Sequence, residues 1–181
     1  MLKHIIAGAT VGTLIIGGTL HAQQPSRPAA GRGAATPAAP AAPPPPAPAP
    51  GSAATYRDAD ALMAVLQKSI AATPDMATSA VANTDQYRIN VVHRGKPAGA
   101  IAHPGNTELH YIMEGSATVV TGGTIVRPAA GGANAATIQG GETRQVKKGD
   151  ILIIPIGSAH WYKEVQSPVT YLEVRFVAPT K

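Results

Sequence analysis

Ile101-Ala-His103-Pro-Gly-Asn-Thr-Glu108-Leu-His110-Tyr-Ile-Met-Glu-Gly115 is the stretch on which the reading of this chain turns. Glu108 and His110 stand two apart in a run that continues through Tyr111 and Ile112. Successive side chains of a strand alternate faces, so a strand here aims this carboxylate and this imidazole into one pocket. His103 precedes a Pro-Gly-Asn turn, which can fold it back toward the pair. Further along, Gly149-Asp-Ile-Leu-Ile-Ile-Pro155-Ile-Gly157-Ser-Ala-His160 supplies another histidine after an apolar strand and a turn. Three imidazoles and one carboxylate are the donor chemistry of a divalent transition-metal site.

The two stretches resemble the paired motifs of the cupin family. Gly95, Ile101, His103, Glu108 and Gly115 fall at the spacing of the first motif, with Ile101 where its first histidine ordinarily stands. Gly149, Pro155, Gly157 and His160 meet the second, which closes on Glu164 rather than asparagine. The resemblance implies an all-β fold, a double-stranded β-helix or small jelly-roll barrel. It carries metal-ligand roles onto His103, Glu108 and His160 only. His110 is argued from its position: two residues from Glu108 on the same face, it could reach the metal and restore a set of three histidines and one glutamate. The alternative places it as a pocket-lining or core imidazole bonded to a neighbour.

Outward toward the start, Met1-Leu-Lys3-His4 and an apolar run from Ile5 to Leu20 read as a signal peptide over residues 1–22, cut after Ala22. A run of 16 residues, several of them glycine, is short for a membrane span, which needs about 20. The expectation is therefore a periplasmic or secreted protein with no stable membrane insertion after cleavage; an uncleaved anchor is the alternative. The chain has no cysteine, so export must be tolerated without disulfides. Residues 23–54 hold ten of the 17 prolines and no large aliphatic residue. Such a tract cannot bury enough apolar surface to offset its ordering entropy and reads as a disordered or polyproline-II tether.

Residues 55–181 then form one domain with one core. The formal charge of the chain is +5, but Lys3, Arg27 and Arg32 lie outside that domain, leaving 12 Lys and Arg against 10 Asp and Glu. With no basic stripe and no aromatics interleaved with lysines, nucleic acid is not an expected partner. Thr55-Tyr-Arg-Asp58 resembles a capping box, and Leu62, Val65, Leu66 and Ile70 recur at helical spacing before Thr73-Pro74. One flanking N-terminal helix of about four turns follows. The rest reads as short strands: Tyr87–His93, the motif strand, Ala117–Thr121, Thr143–Val146, Ile151–Pro155, a strand at His160 and Thr170–Phe176. Glycine- and alanine-rich residues from Gly122 to about Gly141 form an insert.

Other residues receive plainer roles. His93 is expected in a hydrogen bond or at the surface, Glu114 at a turn, and Trp161 in the core, with at most one of Trp161 and Tyr162 lining the pocket. In the last strand Leu172, Val174 and Phe176 are expected inside. Tyr171, Glu173 and Arg175 are expected toward solvent or a subunit interface. No Ser/His/Asp or Cys/His system and no phosphate-cradling glycine loop is present. The leading function is an exported enzyme of dioxygenase, isomerase or decarboxylase type that uses iron, manganese, zinc, nickel or copper on a small-molecule substrate. The rival is a binding or sensing module of the cell envelope that holds a small ligand without turnover, and a homodimer fits either reading. Ile101 should leave one side of the metal dry, suiting a small, partly apolar ligand that bears oxygen.

Overall fold

Asn106–Thr121 and His160–Val177 are two long strands, β3 and β8, that pair antiparallel along almost their whole length and form the spine of the domain. The computed structural model describes residues 42–129 and 135–177. The expected signal peptide, residues 23–41 of the tether and the centre of the insert lie outside the described residues. Around the spine run α1 (Ala59–Ala72), β1 (Met76–Asn83), β2 (Tyr87–Arg94), β4 (Thr124–Val126), β5 (Thr137–Gln139), β6 (Glu142–Lys147) and β7 (Ile151–Ile154). The main sheet runs β1-β2-β8-β3-β6, with β7 also on β3; β4 and β5 form a separate hairpin, and all pairings are antiparallel. This is the all-β barrel with a flanking helix that the strand pattern predicts, in the small jelly-roll form that the motif resemblance implies.

Each long strand is longer than its sequence signal. The run Ala117–Thr121 continues the motif strand, and the His160 strand continues into Thr170–Phe176. Gly115 makes the first continuity work. It has φ +76°, a left-handed conformation suited to glycine, and an added Cβ would overlap the Pro168 carbonyl oxygen of β8. The register shifts clustered from Ile112 to Ala117 are the bulges that bend the spine there. Gly95 plays a related part, since a Cβ there would overlap the Pro74 carbonyl oxygen. Strand β1 carries a weak signal because Ala77, Ser79 and Ala80 are small, and the sequence reading does not single it out.

Helix α1 corrects two details. Its N-cap is Asp58, whose side chain accepts the Ala61 N–H at 2.9 Å, rather than Thr55. Its buried stripe is Leu62, Met63, Leu66 and Ile70, packed against Ala77 and Val91, while Val65 is exposed. Leu172 packs against this cluster from β8, beside the outer face of β1 and β2 that the helix covers. That decides the parity of the last strand. Tyr171 and Glu173 are buried and Arg175 is half-buried on the inner face, whereas Phe176 is 41% exposed. The expected inside and outside sets are reversed, because here the interior holds polar chemistry and the helix supplies the apolar partner outside.

A second core fills the barrel: Val92, Ile112, Ala117, Val119, Val146, Val169 and the stacked pair Tyr162 and Tyr171. Burying each aliphatic side chain contributes roughly 1.5–3 kcal/mol relative to exposure. At the other end of the described chain, the Asp85 N–H donates to the Pro45 carbonyl and the Ala47 N–H donates to Asp85 Oδ1, each at 2.9 Å. The final residues of the tether therefore rest on the β1–β2 turn.

Candidate metal centre

The β3–β8 register sets the site. Opposite Glu108 stands Arg175, and opposite His110 stands Glu173; at the other end of the same ladder, Thr121 faces His160. The ladder curls until its two ends meet, leaving His160 Nε2 3.7 Å from Glu108 Oε1. His103 arrives from the turn before β3. Its carbonyl accepts the Asn106 N–H at 3.2 Å, closing the Pro-Gly-Asn turn, and the Gly157 N–H at 3.1 Å, so a backbone bond ties the two motifs together. His103 Nδ1 lies 2.5 Å from Glu108 Oε1.

Two donor groups result. His103, Glu108 and His160 each offer a ligand atom within 4.8 Å of the others, and so do Glu108, His110 and Glu173. Of the three imidazoles among the ligand candidates, two, His103 and His160, converge on one oxygen of the carboxylate. His110 stands on the other: its Nε2 is 3.3 Å from Glu108 Oε2 and its Nδ1 is 3.1 Å from the Tyr162 hydroxyl. Both contacts are satisfied when Nε2–H donates to the carboxylate and the phenol donates to Nδ1. Tyr162 stays neutral for this purpose, since burial and then neighbouring Tyr171 push its pKa well above the usual value. Burial also pushes Tyr171 up to about 12, against the pull of Arg94, whose Nε–H donates to the Tyr171 hydroxyl at 2.9 Å.

Glu108 is buried yet ionised. Burial alone would raise its pKa, but the hydrogen bond from His110, the charge of His160, and the bond and charge of His103 outweigh it and hold the pKa at about 2. For His160, burial lowers the pKa, with Glu108 and the Ser158 carbonyl pulling the other way. His160 Nδ1 lies 3.2 Å from that carbonyl, a contact that fixes the proton on Nδ1 and leaves the Nε2 lone pair facing Glu108. One ionised carboxylate and two imidazoles, one with its tautomer set by the backbone, are a donor set that fits a divalent transition metal.

The remaining expectations find their places. Ile101 bonds to His160 through both backbone groups, at 3.0 and 2.9 Å, which puts the two side chains on the same face. His93 lies 3.3 Å from Thr170 Oγ1 and belongs to neither donor group. Glu114 is exposed beside the Gly115 bulge. Trp161 is half-buried and donates to the Ala98 carbonyl at 2.6 Å, so Tyr162 is the one that lines the site. Glu164 accepts from Thr118 at 3.0 Å, away from the centre. Sequence reasoning missed Glu173 and Arg175. Arg175 Nη2 donates to Glu173 Oε1 at 2.7 Å, its Nε lies 3.4 Å from Glu108 Oε2, and Asn90 Nδ2 donates to Glu173 Oε2 at 2.8 Å. Their signal was a two-residue spacing like that of Glu108 and His110.

The family model described as Cupin matches residues 87–175. No curated protein matches the chain. The cupin domain of Schizosaccharomyces pombe Cnp3 superposes with a TM-score of 0.44 at 14% identity, over 57% of this chain and 66% of that one, so the chain spans just under two-thirds of that structure. A cupin superfamily protein from Desulfitobacterium hafniense gives 0.42 at 15% identity, over 57% and 78%. KdgF from Halomonas sp. gives 0.43 at 16%, over 59% and 83%. With both motifs, the antiparallel barrel and the family match coinciding on one segment, the chain carries a cupin-family domain over residues 87–175.

Proposed function

We propose that this protein is an exported, metal-dependent enzyme acting on a small molecule, with His103, Glu108 and His160 as the metal ligands. The observation that carries the reading is the convergence of two imidazoles, His103 and His160, on one oxygen of a buried, ionised carboxylate. Three protein ligands would leave coordination positions open, and a bound cation would supply Lewis acidity to a substrate oxygen or, with a redox metal, one-electron chemistry. The chain's own residues do the positioning. His110 and Arg175 hold Glu108 by its second oxygen, and Tyr162 holds His110. Ile101, across from His160, supplies an apolar wall that favours a partly apolar ligand. Whether the chemistry is that of a dioxygenase, isomerase or decarboxylase is read by activity.

Reconstitution with iron or manganese, followed by incubation with diketone, catechol, flavonol and hydroxy-acid panels, should give metal-dependent turnover that His160→Ala abolishes. Oxygen consumption would mark the dioxygenase branch. Saturable binding of a panel member without turnover under any metal would favour the sensing module. For export, intact mass of envelope material should give a chain beginning near Gln23; recovery of only full-length protein from membranes would favour the anchor.

A further inference from the structure

The inner face of β1, β2 and β8 carries a feature that the metal centre does not use. Arg88 of β2 stands directly opposite Arg175 of β8 in the antiparallel register, so two guanidinium groups share a face. Like charges placed directly across from each other destabilise a sheet. The carboxylates nearby, Glu173 and Glu108, lie against Arg175 rather than Arg88, and Glu173 lines the same cavity. Glu173 takes Arg175 Nη2, and Glu108 is shared with three imidazoles. The contact of Arg88 is with a neutral amide, its Nε donating to Asn83 Oδ1 at 3.4 Å. Asp85, the acid at the nearby turn, is taken up by the Ala47 N–H. Among the described residues, Arg175 Nε is buried without a hydrogen-bond partner, and neither of the Arg175 contacts engages Nη1. Both arginines line a cavity of about 380 Å³, and both also line the adjoining one of about 220 Å³ toward Asn106.

We propose that the larger cavity is a subsite for a small organic carboxylate, held between Arg88 and Arg175. A planar guanidinium edge matches a carboxylate in bidentate fashion, and an anion between the two arginines removes their repulsion. Met76, Ala80 and Val92 give the cavity an apolar wall for a short carbon frame, and its volume sits near the lower end of the ligand-site range of about 300–1,000 Å³. Arg175 also contacts Glu108, so the bound acid lies one side chain away from the metal ligands. That the acid is the substrate rests on the enzymatic reading above; that it binds here does not.

The test is calorimetric titration of the metal-stripped full chain with benzoate, benzamide, succinate and inorganic phosphate. Removing the metal keeps a direct metal–carboxylate bond from imitating the subsite and separates this proposal from the metal reading. Benzoate or succinate should bind saturably, and benzamide at least about ten-fold more weakly than benzoate, as expected for loss of charge-assisted hydrogen bonds. Arg88→Gln, at an exposed position away from the core, should weaken benzoate by several fold while leaving metal content unchanged and thermal stability no lower. Arg175→Lys keeps the charge beside Glu108 but loses the fork, and should weaken benzoate similarly. Equal affinity for benzoate and benzamide, unaltered binding in Arg88→Gln, or no saturable carboxylate binding overturns the proposal. Phosphate binding more tightly than either acid overturns the carboxylate assignment.

Discussion

Two layers of the same barrel interior differ in almost every respect except the strands that build them. One contains Glu108, His110, His160, Glu173 and Arg175; the other contains Val92, Ile112, Ala117, Val119, Val146 and Tyr171. Two residues along β3 separate His110 from Ile112, and two along β8 separate Glu173 from Tyr171. The first layer desolvates charges and is held by their mutual contacts; the second buries aliphatic and aromatic surface. Tyr162 joins them, stacking on Tyr171 and bonding to His110. The contrast is one of energetics: the apolar layer offsets the cost of assembling the buried charge in the layer beside it.

Damage to the apolar layer should produce the largest effect. Ile112→Ala removes a fully buried side chain and should cost roughly 2–5 kcal/mol in denaturant unfolding, while the folded fraction keeps its metal stoichiometry. Loss of stoichiometry in proportion to stability would mean that the layers are one unit. In the charged layer the pattern should invert. His160→Ala should lower metal affinity by at least about 100-fold, worth about 2.7 kcal/mol of binding, with a smaller change in the unfolding midpoint of the stripped protein.

His110 sharpens the comparison, because it touches Glu108 from behind. His110→Ala should weaken metal binding by about 10–100-fold, the range for a residue that orients a ligand, with one equivalent recovered at high metal concentration. An effect as large as that of His160→Ala would instead return His110 to the ligand set. His103→Ala and Glu108→Ala should each remove the site, and His93→Ala should leave it intact.

A smaller effect is expected from pH in the stripped protein. The folded-state pKa of His160 lies below 6.5, so as pH falls through 6.5 the unfolded chain takes up the proton first and stability declines. Glu108 has the same sign: held at about 2 against an ordinary value of 4.5, it contributes fully above 4.5 and loses its contribution as pH falls toward 2. Thermal midpoints should therefore drop in both windows, and His160→Ala should flatten the upper one. The smallest effect belongs to the tether. Deleting residues 23–54 removes the Pro45 and Ala47 contacts with Asp85 and should cost about 1 kcal/mol or less, leaving metal content unchanged.

Much of this was legible in the sequence, for reasons specific to particular residues. The turn glycines, Pro155, His103, Glu108 and His160 are constrained by backbone geometry and donor chemistry at once, so their spacing survives as a pattern. The strand parity of Glu108 and His110 held, and so did the assignment of His93. The inward set of β8 was not legible, since alternation fixes two faces but not which one meets the core. The packing of Leu172 against the cluster of Leu66, Ala77 and Val91 decides that, and the cluster depends on a helix a hundred residues earlier. The continuity of β3 through Gly115 was hidden for a related reason: glycine reads as a turn, whereas here it permits a close crossing with Pro168.

The central claim is that Glu108 and the two imidazoles on one side of it, His103 and His160, hold a cation while His110 acts through the carboxylate. Calorimetric metal titration of the stripped parent, His160→Ala and His110→Ala tests it in one experiment. The account predicts one equivalent per chain in the parent, none in His160→Ala, and one weaker equivalent in His110→Ala. Metal bound equally well by His160→Ala, or by none of the three proteins, would contradict it.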